Sequence, residues 1–282
     1  MAGVLGSFEH DGLTFEVTDR GPADGRVVVM LHGFPEDRHE WSALAEKLLG
    51  DGFRVLAPDQ RGYSPGASPP DRRAYRMEAL VSDVLALADA AGAERVDVVG
   101  HDWGAAVAWA LAARHAERVR SLCALSVPHP RAMLRAVRRG GQALRSSYVL
   151  FFQLPWVPEH MFALNNGRRM ARGLERSGLD RPTAQRFAAR AADPRALTGP
   201  LNWYRAVPLD GAGAPDRVEV PTLFIWGGRD RYIGRTAALA CGQWVDGPYR
   251  FVALEEYSHW LPTTAADEVA AALCEHLASV PV

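Results

Sequence analysis

Apolar positions set the first division of the chain. Residues 27–31, 53–57 and 96–100 are short, largely apolar runs, as strands covered on both faces would be. Two shorter strands around the turn Asp11-Gly12 are predicted over 8–19, and Pro58 is expected to stop the strand before it. Apolar residues recur every three or four positions over 41–49, 75–91 and 103–114, predicting helices there. Residues 119–127 again read as strand, and the alternation stops at Pro128. It resumes with strands over 221–227 and 249–254 and closes with a helix over 266–278. Strand and helix in alternation predict an α/β fold, a mostly parallel sheet flanked by helices.

Residues 128–213 interrupt that order with helical pieces bounded by proline. They read as a helical lid inserted into one core, which is formed by residues 1–127 and 214–282. Composition supports a folded enzyme-sized chain: 282 residues, 48% hydrophobic, 23% charged, net charge -1. No overall basic excess steers the chain to nucleic acid or a membrane. The neutral total conceals an asymmetry. Residues 131–195 hold thirteen Arg against four acids, net +9, so the rest of the chain carries -10. Those arginines are expected to form solvated helix faces and to tie the lid to the acidic core. The sharper alternative is attraction of an anionic substrate. Cys123, Cys241 and Cys274 lack metal or disulfide spacing. The first ten residues lack a basic segment followed by an apolar one, and a cytoplasmic location is expected.

The chemistry concentrates after the strand at 96–100. Gly100-His101-Asp102-Trp103-Gly104 has the small-x-nucleophile-x-small pattern of a sharp turn into a helix. Asp stands where esterases carry Ser. A carboxylate is already ionised at neutral pH and can displace a leaving group at carbon, forming an ester. By itself Asp102 reads equally well as a helix cap. Two further loops decide between these readings. Ile225-Trp226-Gly227-Gly228-Arg229-Asp230 puts an acid just past a late strand, and Tyr257-Ser258-His259-Trp260 puts an imidazole after the last strand. Nucleophile, acid and base thus follow in order, all at one edge of a parallel sheet. His259 is the candidate base for water and Asp230 its orienting partner. Leu31-His32-Gly33-Phe34-Pro35 ends the third strand, with Pro35 suited to a tight turn or a cis bond. The backbone N–H groups of Phe34 and Trp103 are the candidate oxyanion hole.

On these motifs the sequence resembles the α/β-hydrolase fold and, within it, the epoxide hydrolases. Tyr148-Val149-Leu150-Phe151-Phe152-Gln153 and Gly199-Pro200-Leu201-Asn202-Trp203-Tyr204-Arg205 are similar to that family's two lid-tyrosine motifs. The resemblance implies that Tyr148 and Tyr204 hydrogen-bond an epoxide oxygen, with no metal or cofactor. The loop Pro58-Asp59-Gln60-Arg61-Gly62-Tyr63-Ser64-Pro65 departs from the family at Ser64-Pro65, and Asp59 reads as structural. The expected reaction is hydrolysis of a small-molecule epoxide to a vicinal diol. Phe34, Trp103, Phe152 and Trp203 are expected to line the substrate cleft. A haloalkane or haloacid dehalogenase would use the same Asp nucleophile but leaves both lid tyrosines unexplained. A non-catalytic small-molecule binder would not need the complete set Asp102, Asp230 and His259. A homodimer is the assembly considered.

Overall fold

The computed structural model describes residues 4–139, 141–210, 213 and 215–281. Among the described residues eight strands form one sheet: β1 (Ser7–His10), β2 (Leu13–Arg20), β3 (Val27–Leu31), β4 (Arg54–Pro58), β5 (Val96–His101), β6 (Val119–Leu125), β7 (Thr222–Gly227) and β8 (Tyr249–Leu254). Their spatial order is β1-β2-β4-β3-β5-β6-β7-β8. The pairs β1–β2 and β2–β4 are antiparallel, and every pair from β4 to β8 is parallel. Among the described residues the helices are α1 (Ser42–Gly50), α2 (Met77–Ala90), α3 (Trp103–Arg114), α4 (Pro130–Arg139), α5 (Gln142–Arg145), α6 (Tyr148–Phe152), α7 (Val157–Ala163), α8 (Arg168–Ser177), α9 (Arg181–Ala188), α10 (Pro194–Ala206), α11 (Arg235–Ala240), α12 (Leu261–Thr264) and α13 (Ala266–Ser279).

The apolar runs form strands because both faces of the sheet are covered. Along β3, Val28 and Met30 pack with Leu44, Leu48 and Leu273 from α1 and α13, while Val29 and Leu31 pack with Val84, Leu87 and Trp109 from α2 and α3. Strand alternation therefore supplies two cores from one continuous run.

Several boundaries differ from expectation for local reasons. The helix expected from 75 begins at Met77, because Arg76 is extended (φ -62, ψ 149) after a 3-10 turn over Arg72–Tyr75. The strand expected to reach 127 ends at Leu125, where Ser126 turns left-handed (φ 67). Pro58 is the last residue of β4 rather than its stop. The departing loop after β4 is tied down by Ser64, whose hydroxyl donates to the Asp59 carbonyl at 2.8 Å and accepts the Glu16 N–H at 2.9 Å. Asp59 accepts from the Arg38 N–H and guanidinium at 2.9 and 2.7 Å, so both of its oxygens are used in holding the loop.

Helices α4 to α10 form a helical insertion between β6 and β7. They enclose a third apolar cluster, where Met170, Leu174, Phe187, Leu201 and Tyr204 meet Trp260, Phe34 and Trp103 from the core. Residue 214, where the core was expected to resume, lies outside the described residues. Among the described residues no helix is long and apolar enough to cross a membrane.

Candidate active site

The strand order reverses between β3 and β5, so the loops leaving their carboxyl ends diverge and open a crevice. Asp102 stands there, between β5 and α3, with φ 49 and ψ -116. A non-glycine residue in that region costs about 1–3 kcal/mol, which the surrounding packing must hold. The flanking glycines make the turn possible. A Cβ on Gly104 would lie 1.9 Å from the Leu31 carbonyl oxygen, and one on Gly100 would lie 2.3 Å from that of Gly104. Gly33 is equally constrained, since its Cβ would lie 2.4 Å from Asp102 Cβ. Phe34 follows, joined to Pro35 by a cis bond, and its N–H donates to Asp102 Oδ1 at 2.9 Å. The Trp103 N–H is the first of α3 and has no intrahelical partner.

His259 and Asp230 close on Asp102 from the loops after β8 and β7. His259 Nε2 is 3.3 Å from Asp102 Oδ2. On its other side, His259 Nδ1 donates to Asp230 Oδ2 at 2.7 Å. Asp230 Oδ1 accepts the N–H groups of Tyr232 and Ile233 at 2.7 and 2.9 Å, which orients the carboxylate toward the ring. Burial disfavours the His259 cation, but Asp230 and Asp102 outweigh it and push its pKa up to about 9. Burial likewise opposes the Asp102 charge, yet His259, His101 and the Phe34 N–H together hold its carboxyl below the usual range.

Asp102 and His259 open into a cavity of about 250 Å³. Its walls are apolar, from Phe34, Phe151, Phe152, Met161, Phe162, Met170, Leu174 and Trp260. Tyr148, on α6, and Tyr204, on α10, face the same space with ring centroids 6.1 Å apart. Burial raises the pKa of both phenols, and the nearby Asp102 charge adds to it, so both stay protonated and able to donate.

Residues 26–266 match the model of the alpha/beta hydrolase fold family. The chain belongs to the α/β-hydrolase family. It is 36% identical over 270 residues to AB hydrolase superfamily protein YfhM of Bacillus subtilis, covering 93% of each chain. It is 35% identical to Epoxide hydrolase A of Mycobacterium tuberculosis, covering 95% of each. The crystal structure of Epoxide Hydrolase A from Mycobacterium thermoresistibile superposes with a TM-score of 0.84 at 28% identity, covering 98% of each chain. The α/β hydrolase described here is thus epoxide-hydrolase-like over its length.

Not every residue expected at the cleft of this hydrolase lies there. Phe34 and Phe152 line the cavity, whereas Trp203 does not. Trp203 is buried, and its indole N–H donates to the Arg61 carbonyl at 2.7 Å. Its neighbour Tyr204 points about 100° away around α10 and takes the cavity face. The Trp103 ring also stays outside the lining, edge-on to Tyr204 at 4.9 Å and Trp203 at 5.8 Å. Among the described residues no lid arginine lines the cavity. The lid is tied to the core by a charge pair, Arg131 to Asp216 at 2.6 Å, and by polar contacts to the main chain. Arg145 donates to the carbonyls of Asp230 and Arg231 at 2.9 and 3.0 Å, and Gln142 bridges the Tyr232 carbonyl and Gly234 N–H at 2.6 and 2.8 Å.

Sequence reasoning missed Tyr232, which lines the cavity 5.0 Å from the His259 ring. Its place two residues beyond Asp230 was the available signal. It also missed Met170, Gly173 and Leu174 of α8, which line the cavity and whose helical spacing was the available signal. The buried set Glu36, Glu40 and His101 was also overlooked.

Proposed function

We propose that this α/β hydrolase converts a small, uncharged, apolar epoxide to a vicinal diol through an ester on Asp102, under a lid formed by residues 128–213. One observation carries the reading: a carboxylate occupies the strand-to-helix turn, paired to His259, and two neutral phenols share its apolar cavity. Tyr148 and Tyr204 bind the epoxide oxygen. Asp102 Oδ1 is held by the Phe34 N–H, so Oδ2 attacks a ring carbon as the carbon–oxygen bond opens. The developing alkoxide takes a phenolic proton, and the His259 imidazolium restores it, leaving a neutral ring.

Alkylation also removes the Asp102 charge that helped raise the His259 pKa. The ring is thereby released to act as base in the second step. It takes a proton from water as the hydroxide attacks the ester carbonyl. The Phe34 and Trp103 N–H groups stabilise the oxyanion. On collapse the departing diol oxygen takes the proton held by His259, and the remaining carboxyl proton passes to the ring, so Asp102 keeps one oxygen from water and its ion pair with His259 is restored. No metal or cofactor takes part in this scheme.

Single turnover in heavy-oxygen water tests it. Label is expected in Asp102 and not in the diol; label passing straight to the diol rules out the ester. A panel of epoxides and haloalkanes is expected to yield diol without halide. Halide release would transfer the assignment to dehalogenation, and binding without turnover would make the chain a small-molecule binder.

A further inference from the structure

Glu36, Glu40 and His101 form a polar unit that the steps above leave unused. Glu36 follows Pro35, Glu40 lies in the 3-10 turn Arg38–Trp41, and His101 ends β5 directly before Asp102. All three side chains are fully enclosed. His101 Nε2 lies 2.9 Å from the main-chain oxygen of His259, and Nδ1 lies 2.9 Å from Glu36 Oε2 and 3.2 Å from Glu40 Oε2.

Proton counting follows from these partners. A carbonyl oxygen only accepts, so Nε2 carries hydrogen. Nδ1 faces two carboxyl oxygens, so at least one more proton lies between ring and carboxyls. With that proton alone the unit would bear a net charge of about -1 in a fully desolvated place beside Asp102, which burial strongly opposes. The second oxygens, Glu36 Oε1 and Glu40 Oε1, have no hydrogen-bond partner among the described residues. One further proton neutralises the unit and gives these oxygens a donor.

We propose that Glu36 is the carboxylate paired with a His101 imidazolium, that Glu40 is a neutral carboxylic acid bonded to Glu36, and that this unit positions His259 through its main-chain oxygen. The shorter Glu36 contact selects which carboxyl keeps the charge. Burial, then the adjacent Glu36, pushes the Glu40 carboxyl well above its usual range, while both glutamates outweigh burial at His101. The other titratable groups around the unit are Asp102, His259, Asp37, His32 and Tyr63. Ser126 Oγ and the Leu261 N–H join His101 on the His259 oxygen, at 2.5 and 2.9 Å. The base is therefore held by its backbone as well as by Asp230.

The kinetic part of this inference rests on the ester mechanism; the spectroscopic part needs no substrate. Infrared spectra of the whole protein at pH 7.5 are expected to contain a protonated-carboxyl band that Glu40→Gln removes. Glu40→Gln, which replaces a neutral acid by a neutral amide, is expected to hydrolyse the ester within about threefold of the native rate. The double variant Glu36→Gln/Glu40→Gln strips His101 of its counterion. It is expected to slow ester hydrolysis by about 10- to 100-fold, with ester formation much less affected. No such band in the native protein, or a band that survives Glu40→Gln, overturns the proton assignment whether or not any epoxide is turned over. If the double variant hydrolyses ester at the native rate, the positioning role is wrong.

Discussion

Gly33→Ala isolates the placement of Asp102 from every other property of the site. Gly33 does not lie in the left-handed backbone region, so alanine is acceptable there and even loses less entropy on folding. The added methyl carbon, however, would lie 2.4 Å from Asp102 Cβ, 2.9 Å from its Oδ1 and 3.1 Å from its Cγ. Ordinary carbon contact is about 3.5–4.0 Å, so the two groups must separate by roughly 1 Å. The turn at Asp102 is already strained and has Gly104 pressed on the Leu31 carbonyl behind it. The displacement therefore falls on the carboxylate and on the Phe34 N–H that holds it. A misplacement of about 1 Å at a reacting group costs on the order of 100-fold in rate. Rapid-quench mass spectrometry of the Asp102 peptide measures ester formation in one turnover, with thermal melting as the control. Ester formation is expected to slow by about 100-fold while the melting temperature moves only a few degrees. Formation within threefold of the native rate would refute the idea that the Gly33 contact fixes the nucleophile.

Tyr148→Phe and Tyr204→Phe are each expected to slow ester formation by about 10²-fold, leaving hydrolysis of formed ester nearly unchanged; stopped-flow traces of the two phases separate these effects. His259→Gln is expected to accumulate ester, visible as an added mass on Asp102. The His259 pKa is raised to about 9 in the folded protein against about 6.5 unfolded, so its ion pairs stabilise the fold fully below about pH 6.5. That contribution is lost as pH rises through 9, and the melting-temperature gap between native protein and His259→Gln should shrink over that window. Arg205 pairs with Glu159 at 2.6 Å inside the lid and also donates to the Phe152 and Leu154 carbonyls at 3.0 and 2.7 Å. Arg205→Ala leaves a buried carboxylate unpaired and is expected to destabilise by about 3–5 kcal/mol in denaturant titration, with activity falling because α6 and α10 carry the two tyrosines.

Local spacing was enough for the parts of this protein whose geometry is local. The turn at Asp102 is legible because Gly100 and Gly104 sit at fixed offsets within one strand-to-helix junction, where any side chain would strike backbone. The alternation of apolar runs places Asp230 and His259 at the same sheet edge, since parallel strands all end on one side. What tertiary packing alone decided is which neighbour faces the cavity and which charges meet. Trp203 and Tyr204 are adjacent in sequence with similar apolar area, and only the groove against Arg61 and Trp103 assigns one to the core and the other to substrate space. The lid's net charge was readable by counting, yet Arg131 and Arg205 take carboxylate partners outside the cavity and Arg145 takes backbone carbonyls, because a guanidinium in a cavity of apolar walls would lack partners. Glu36 and Glu40 meet His101 across sixty or more residues of intervening chain. Sequence periodicity describes one element at a time, whereas that meeting depends on how the turn after β3 packs on the end of β5.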